Sequence, residues 1–355
     1  MNIVILWTGV TAPMAACWRA LATTPGVKLT VFSELHRHAQ TAYDEPSLLA
    51  GIDHHLRYSD EPLDRPRLAE QIAALRPDAL IVLGWRSEMC RAAAQSPALA
   101  AVPKILAFDM PFAFTLRKLF APLVLARYVR RFAAAFVPGE RSAAYARWLG
   151  FAEQHIERGL TGLDTSPFST AAAARAAAPA YPRRLLYVGR YAREKGLDVL
   201  LDAYRRYRSM VSDPWSLTCC GMGPEAGRLR GVAGVEDRGF VQPANLPGVY
   251  GEHGAFVLAS RYEPWGFVIQ EAAAAGLPIV CTAAVGAHVE LVRDGFNGRV
   301  CQTGDAAAIA EGLRWIHDRE PELPEIGARG RVLVEPYSTT HWAARVLRLC
   351  STVSN

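Results

Sequence analysis

Short apolar runs alternate with longer helix-period segments from one end of this 355-residue chain to the other, which restricts it to α/β architecture on parallel sheets. In the first half the strand runs are Ile3–Leu6, Leu29–Phe32, Ala79–Leu83, Lys104–Phe108 and Ala134–Val137. Helical patterns fall near Ala12–Thr23, Pro66–Leu75, Glu88–Gln95 and Gly139–Leu149. The alternation stops around Gly162-Leu-Asp164. An Ala-rich stretch with prolines, Ser169 to Pro182, reads as a linker or a short surface helix. The pattern then restarts. Arg184–Val188, Leu217–Cys220, Val235–Phe240, Ala255–Leu258, Ile279–Thr282 and Gly298–Cys301 read as strands, and Lys195–Arg208, Gly266–Ala275, Ala287–Val292 and Asp305–His317 as helices, with Asp305 as an N-cap. A last helix is expected near His341–Leu349. The length suits two domains, and two Rossmann-like halves leave a cleft between them as the natural ligand site.

Charge excludes some partners. Met1 to Asp164 carries 18 Lys/Arg against 15 Asp/Glu and the remainder 21 against 19, so no basic arm marks a nucleic-acid surface. Seven cysteines form no C-x-x-C pair and no metal-ligand spacing, which points to buried thiols in a reducing compartment. The opening Met-Asn-Ile-Val-Ile-Leu-Trp-Thr-Gly lacks a basic n-region. No run approaches the roughly 18 apolar residues of a membrane span. A cytoplasmic location is expected.

Two stretches carry chemistry. In Glu263-Pro-Trp-Gly-Phe-Val-Ile-Gln-Glu271 one carboxylate sits in a loop after an apolar run and the other on the first turns of a helix. Carboxylates there accept from ligand hydroxyls, and free N–H groups at the helix start take an anion, which suits a nucleotide sugar. In Tyr187-Val-Gly-Arg-Tyr-Ala-Arg-Glu-Lys-Gly-Leu-Asp198 a strand ends at Gly189 and a loop bears Arg190 and Lys195. A forked guanidinium and an ammonium at the carboxyl edge of a sheet can neutralise a departing diphosphate. A solvated basic loop is the alternative. Cys220-Gly-Met-Gly-Pro-Glu225 permits close backbone approach or a structural turn at Gly221 and Gly223, and it is no dinucleotide fingerprint.

The order Val188-Gly-Arg190, Glu194-Lys-Gly196, Gly221-Met-Gly-Pro224, Glu263-x7-Glu271, Ala275-Gly-Leu-Pro278 and Glu290-Leu-Val-Arg-Asp-Gly-Phe-Asn-Gly298 resembles the retaining GT-B glycosyltransferases of family 4. Arg158-Gly-Leu-Thr-Gly-Leu-Asp164 is similar to that family's inter-domain segment. The match runs from Arg158 to Cys301, nearly the whole second half. The resemblance implies a GT-B fold, two Rossmann-like domains facing each other across a cleft. Residues 1–164 would bind the acceptor, 165–338 the nucleotide-sugar donor, and a C-terminal helix over 339–355 would pack back on the first domain. It implies that Arg190 and Lys195 grip the donor diphosphate and that Glu263 binds hydroxyls of the transferred sugar. Pro264, Trp265, Gly266 and Phe267 would lie along sugar and phosphate, with Glu271 on the ribose. Gly189, Gly221 and Gly223 would line the donor, and Phe240 and Val241 stand where family members hold the base. No cofactor or metal is expected, the two cations replacing the ion.

The first half matches less closely. Gly9 alone stands for the family's Gly-Gly loop, which the resemblance places at the donor, and Asp109 stands where many members place a His, either orienting the acceptor or acting as a weak catalytic base, or else capping a loop. His36, His38, His54 and His55 read as surface-loop residues. Thr115 to Phe132 mixes five cations with many apolar residues. Related enzymes seat such a helix on membranes, but its cations spread around the wheel and Pro122 breaks it, so an ordinary packed helix pair is the expectation. Peripheral contact at the inner face of a membrane is the alternative. The expected activity is transfer of a sugar, with retention, from a nucleotide-diphosphate sugar to a hydroxyl of a saccharide, lipid-linked or small-molecule acceptor. A nucleotide-sugar epimerase or hydrolase, and a catalytically silent binding subunit, are the alternatives.

Overall fold

The structure, a computed structural model, describes residues 1–35 and 48–354 and divides into two compact units. The first comprises Met1–Asp164 and the stretch from Tyr337 onward, the second Thr165–Pro336. His36 and His38 lie outside the described residues.

In the first unit seven parallel strands form one sheet: β1 (Asn2–Thr8), β2 (Lys28–Leu35), β3 (Asp53–Tyr58), β4 (Ala79–Leu83), β5 (Lys104–Ala107), β6 (Ala134–Val137) and β7 (Ile156–Arg158). Their order is β3-β2-β1-β4-β5-β6-β7, with Ile3 beside Leu29 on one flank and Ala79 on the other. Ile3 to Leu6 and Leu80 to Val82 are fully buried, as strands covered by helices on both faces must be. The helix Ala12–Ala22 turns Met14, Ala15, Cys17, Trp18 and Leu21 inward, a stripe at helical spacing.

The second unit repeats the plan with β8 (Arg184–Val188), β9 (Ser216–Cys220), β10 (Val235–Gly239), β11 (Ala255–Leu258), β12 (Ile279–Thr282) and β13 (Gly298–Cys301), in the order β10-β9-β8-β11-β12-β13. The direction of winding reverses between β8 and β11, so the loops leaving these neighbours diverge and open a crevice at their carboxyl ends. Asp305 accepts from Ala308 N at 2.9 Å and caps the helix Ala306–His317.

Four features differ from the sequence expectations. β3 is a strand although Asp-His-His-Leu-Arg-Tyr has no apolar alternation. It is a sheet edge with its first four residues exposed, so nothing selects for a buried face, and His54 and His55 stand on that strand rather than in a loop. β7 is only three residues long. The Ala-rich stretch holds a short, mostly exposed helix rather than a linker, but that helix starts earlier than expected, at Ser166, and ends at Ala176, burying Phe168, Ala172 and Arg175. The run from Thr115 forms two short helices, Leu116–Leu119 and Ala121–Val129, but it is not an ordinary packed pair. Phe114 is 88% exposed, Leu116 75%, Phe120 57%, and Leu123 and Val124 78% each.

Candidate functional site

The site assembles from the loops that leave β8, β9, β10 and β11. After β8 the chain passes Gly189 and Arg190 to a single 3₁₀ turn, Arg193–Lys195, before the helix Leu197–Met210. After β9 it passes Gly221 to Gly223. The two loops interlock: Tyr191 N donates to Met222 O at 2.7 Å, and Glu225 N to Tyr191 O at 2.9 Å. A Cβ on Gly221 would collide with the Gly189 carbonyl, so only glycine lets these backbones meet. Tyr191 Oη donates to Asp237 at 2.7 Å, which fastens β10 to the same assembly. Phe240 and Val241 follow β10, half-buried, where Gly221 N bonds Gly239 O.

The loop after β11 lies against the β8 loop. Arg261 N and Tyr262 N both donate to Glu194 O, at 2.8 and 3.2 Å. The Arg261 guanidinium forks onto Asp198 at 2.6 and 2.7 Å and holds that carboxyl below its usual range. This clamp brings Lys195 Nζ onto Glu263 Oε2 in an ion pair with both side chains mostly buried. Arg190 stays exposed beside Glu194, 2.6 Å away. One cation is thus enclosed next to a carboxylate and a second faces solvent.

From Glu263 the chain runs through Pro264 and Trp265 to Gly266, whose φ of 103° no larger residue adopts without strain. That turn starts the helix Phe267–Ala274, where Ile269 N donates to Gly266 O at 2.9 Å while the N–H groups of Phe267 and Val268 lie beyond intrahelical reach. Gly286 N donates to Glu263 O and Ala287 N to Trp265 O, pinning the loop from the far side. Trp265 Nε1 reaches Gln270 Oε1 at 2.9 Å. Glu271, on the second turn, is buried, and desolvation pushes its carboxyl up to about 7 despite the Tyr250 hydroxyl that donates to it at 2.8 Å.

Gly189, Arg190, Lys195, Gly221, Gly223, Phe240, Val241, Glu263, Pro264, Trp265, Gly266, Phe267 and Glu271 therefore all stand on the carboxyl edge of the second sheet or on the helix that leaves it. Gly9 and Asp109 belong to the first unit, after β1 and β5. Gly9 N bonds Glu34 O at 2.9 Å, and Ser142 Oγ bonds Asp109 O at 2.9 Å. Asp109 is exposed, yet desolvation by the protein around it raises its carboxyl, opposed by its own backbone N–H and by Arg86. Arg261 and Tyr250 escaped the sequence reading. Their partners stand 63 and 21 positions away, beyond any local spacing.

Residues 170–333 match the family model described as Glycosyl transferases group 1. A glycogen synthase of Mycobacterium tuberculosis is 34% identical over 155 residues, 42% of this chain and 37% of that protein. A phosphatidyl-myo-inositol mannosyltransferase of Mycobacterium leprae is 31% identical over 188 residues, 49% and 48% of the two chains. The chain thus matches less than half the length of these curated relatives. Among solved structures, Anabaena Alr3699/HepE in complex with UDP superposes with a TM-score of 0.76 at 17% identity over 99% of this chain and 100% of that one. Sucrose-phosphate synthase from Thermosynechococcus elongatus superposes with a TM-score of 0.72 at 18% identity over 99% of both chains. The two parallel-sheet units are those of the GT-B glycosyltransferase fold.

Proposed function

We propose that this chain, whose second unit is a glycosyl transferases group 1 domain, moves a sugar from a nucleotide-diphosphate sugar to a hydroxyl acceptor with retention of configuration. The observation that carries the reading is the enclosed Lys195–Glu263 pair, set between exposed Arg190 and the start of the helix that bears Glu271. A diphosphate exchanges Glu263 for its own oxygens on Lys195, gains Arg190, and takes the free N–H groups of the helix start. Glu263, released, accepts from hydroxyls of the transferred sugar, while Glu271 accepts from the ribose. The bond between the anomeric carbon and the diphosphate oxygen breaks, with its electrons leaving on the diphosphate. The acceptor oxygen bonds that carbon from the same face, and its proton passes to the departing diphosphate. No protein nucleophile and no metal enters this reading, since Lys195 and Arg190 supply the positive charge. Asp109 serves the acceptor side, and Gly9 lets the first unit's β1 loop approach the donor.

Glu263→Ala and Lys195→Ala are each expected to lower kcat/KM by at least about a hundredfold while the protein stays folded. Near-normal transfer by either variant, with circular dichroism unchanged, sinks the assignment.

The same reading extends to a peripheral seat on an anionic membrane surface and, through it, to a lipid-linked acceptor. The exposed apolar run around the helices Leu116–Leu119 and Ala121–Val129 supports it, as does the absence of any Asp or Glu between Asp109 and Glu140. Among the described residues no helix is long and apolar enough to cross a membrane. A cytoplasmic location belongs to the same proposal, supported by seven cysteines that are all buried and show no C-x-x-C spacing.

A further inference from the structure

We propose that Tyr250 is a positioning residue for donor recognition: its hydroxyl holds Glu271 in the orientation and charge state in which the carboxylate accepts from the ribose diol. The inference rests on the donor reading above, in which Glu271 meets the ribose.

Glu271 sits inside the second unit rather than on its rim, and among the described residues Tyr250 is the one hydrogen-bond partner of its side chain. The Tyr250 proton has two acceptors in reach, Glu271 Oε2 at 2.8 Å and Val268 O at 3.4 Å, and the carboxylate is the nearer and the stronger. Fixing Oε2 leaves Oε1 for a ligand. Without the hydroxyl, a carboxyl already pushed up to about 7 by burial has no donor to favour its charged form, and it takes up a proton. A neutral acid offers a diol one strong acceptor less.

The tyrosine is itself immobilised, which distinguishes a positioning group from a passing contact. Its ring is fully buried, edge-on to Phe168 at 5.5 Å and stacked on Phe256 at 5.8 Å. Arg175 reaches its carbonyl at 3.4 Å and, with the other end of the fork, caps Ala275 O and Gly276 O, the carbonyls that close the helix carrying Glu271. One buried guanidinium therefore ties the donor of the hydrogen bond to the element that bears its acceptor.

The test titrates UDP, GDP and ADP, each against its 2′,3′-dideoxy counterpart, by calorimetry with wild type, Tyr250→Phe, Glu271→Gln and the double variant. The ribonucleotide that binds wild type most tightly is expected to lose roughly tenfold in affinity on Tyr250→Phe, while its dideoxy counterpart is unchanged. Transfer at saturating donor keeps its kcat within about twofold, so the loss falls on KM. The double variant binds no more weakly than Glu271→Gln alone. Equal losses for ribo- and dideoxynucleotide mark a merely structural tyrosine and overturn the proposal, as do additive losses in the double variant. If Glu271→Gln itself fails to distinguish the two ligand series, the donor reading falls and this inference with it.

Discussion

At Glu271 a carboxyl group is held where its neutral form is favoured, and the folded state should report that. Its pKa is raised to about 7 from an ordinary 4.5, so between those pH values the native chain binds the proton more tightly than the unfolded one. Stability from this group is therefore full below about pH 4.5 and is lost as pH rises toward 7. Glu271→Gln removes the titration. We expect the variant to gain on wild type, between pH 5 and pH 8, by on the order of 2–3 kcal/mol in denaturant unfolding. A stability gap that is flat across that range refutes the placement of this carboxyl. The same residue shows what a sequence can reveal. Glu263 and Glu271 are legible because a loop and the helix it starts fix both in eight positions. The groups that tune them, Tyr250 and the Arg261–Asp198 fork, come from other elements and leave no local spacing to read.

Elements were legible where burial imposed a period and illegible where it did not. β1 and β4 are two-sided core strands and announce themselves, whereas β3 is an exposed edge whose residues answer only to backbone pairing. The helices Leu116–Leu119 and Ala121–Val129 mislead in the opposite sense. Their apolar residues suggested packing, yet only Ala121, Tyr128 and Val129 are buried, with Leu125 partly buried against the core, while Trp148, tied by Nε1 to Lys118 O at 2.9 Å, adds a half-exposed ring beside them. Arg117, Arg127, Arg130 and Arg131 are exposed around this surface. Apolar side chains beside exposed cations that form no ion pair among the described residues match an anionic bilayer better than water or a neutral surface. The chain should float with vesicles containing phosphatidylglycerol and not with pure phosphatidylcholine, and added salt should weaken the association. Replacing Leu123 and Val124 by Ser should cut partitioning by at least about tenfold without changing turnover on a water-soluble acceptor. Binding to neither vesicle, or self-association through these helices instead, defeats the membrane reading.

On the scale of the whole molecule, one sheet plan used twice explains why the fold was readable: two stretches of alternation, broken near Asp164, become two doubly wound sheets in matching strand orders. The closing segment obeys a different logic, because Thr339–Ser354 follows the second sheet in sequence but completes the core of the first. Trp342 is its anchor. The ring is buried 6.2 Å from Phe136 of β6, and Nε1 donates to Leu160 O at 2.6 Å across 182 positions. Trp342→Ala removes a large buried ring and leaves the Leu160 carbonyl without that donor, a loss of about 3–5 kcal/mol. Since the lost contacts all lie in the first unit, the cost should be local. Hydrogen–deuterium exchange should accelerate in β1, β4, β5, β6 and the helix Ala12–Ala22, while β8, β9, β11 and β12 keep their protection. Equal acceleration in both sheets would show instead that the two units unfold as one, and that the terminal helix stabilises the chain as a whole rather than the unit it closes.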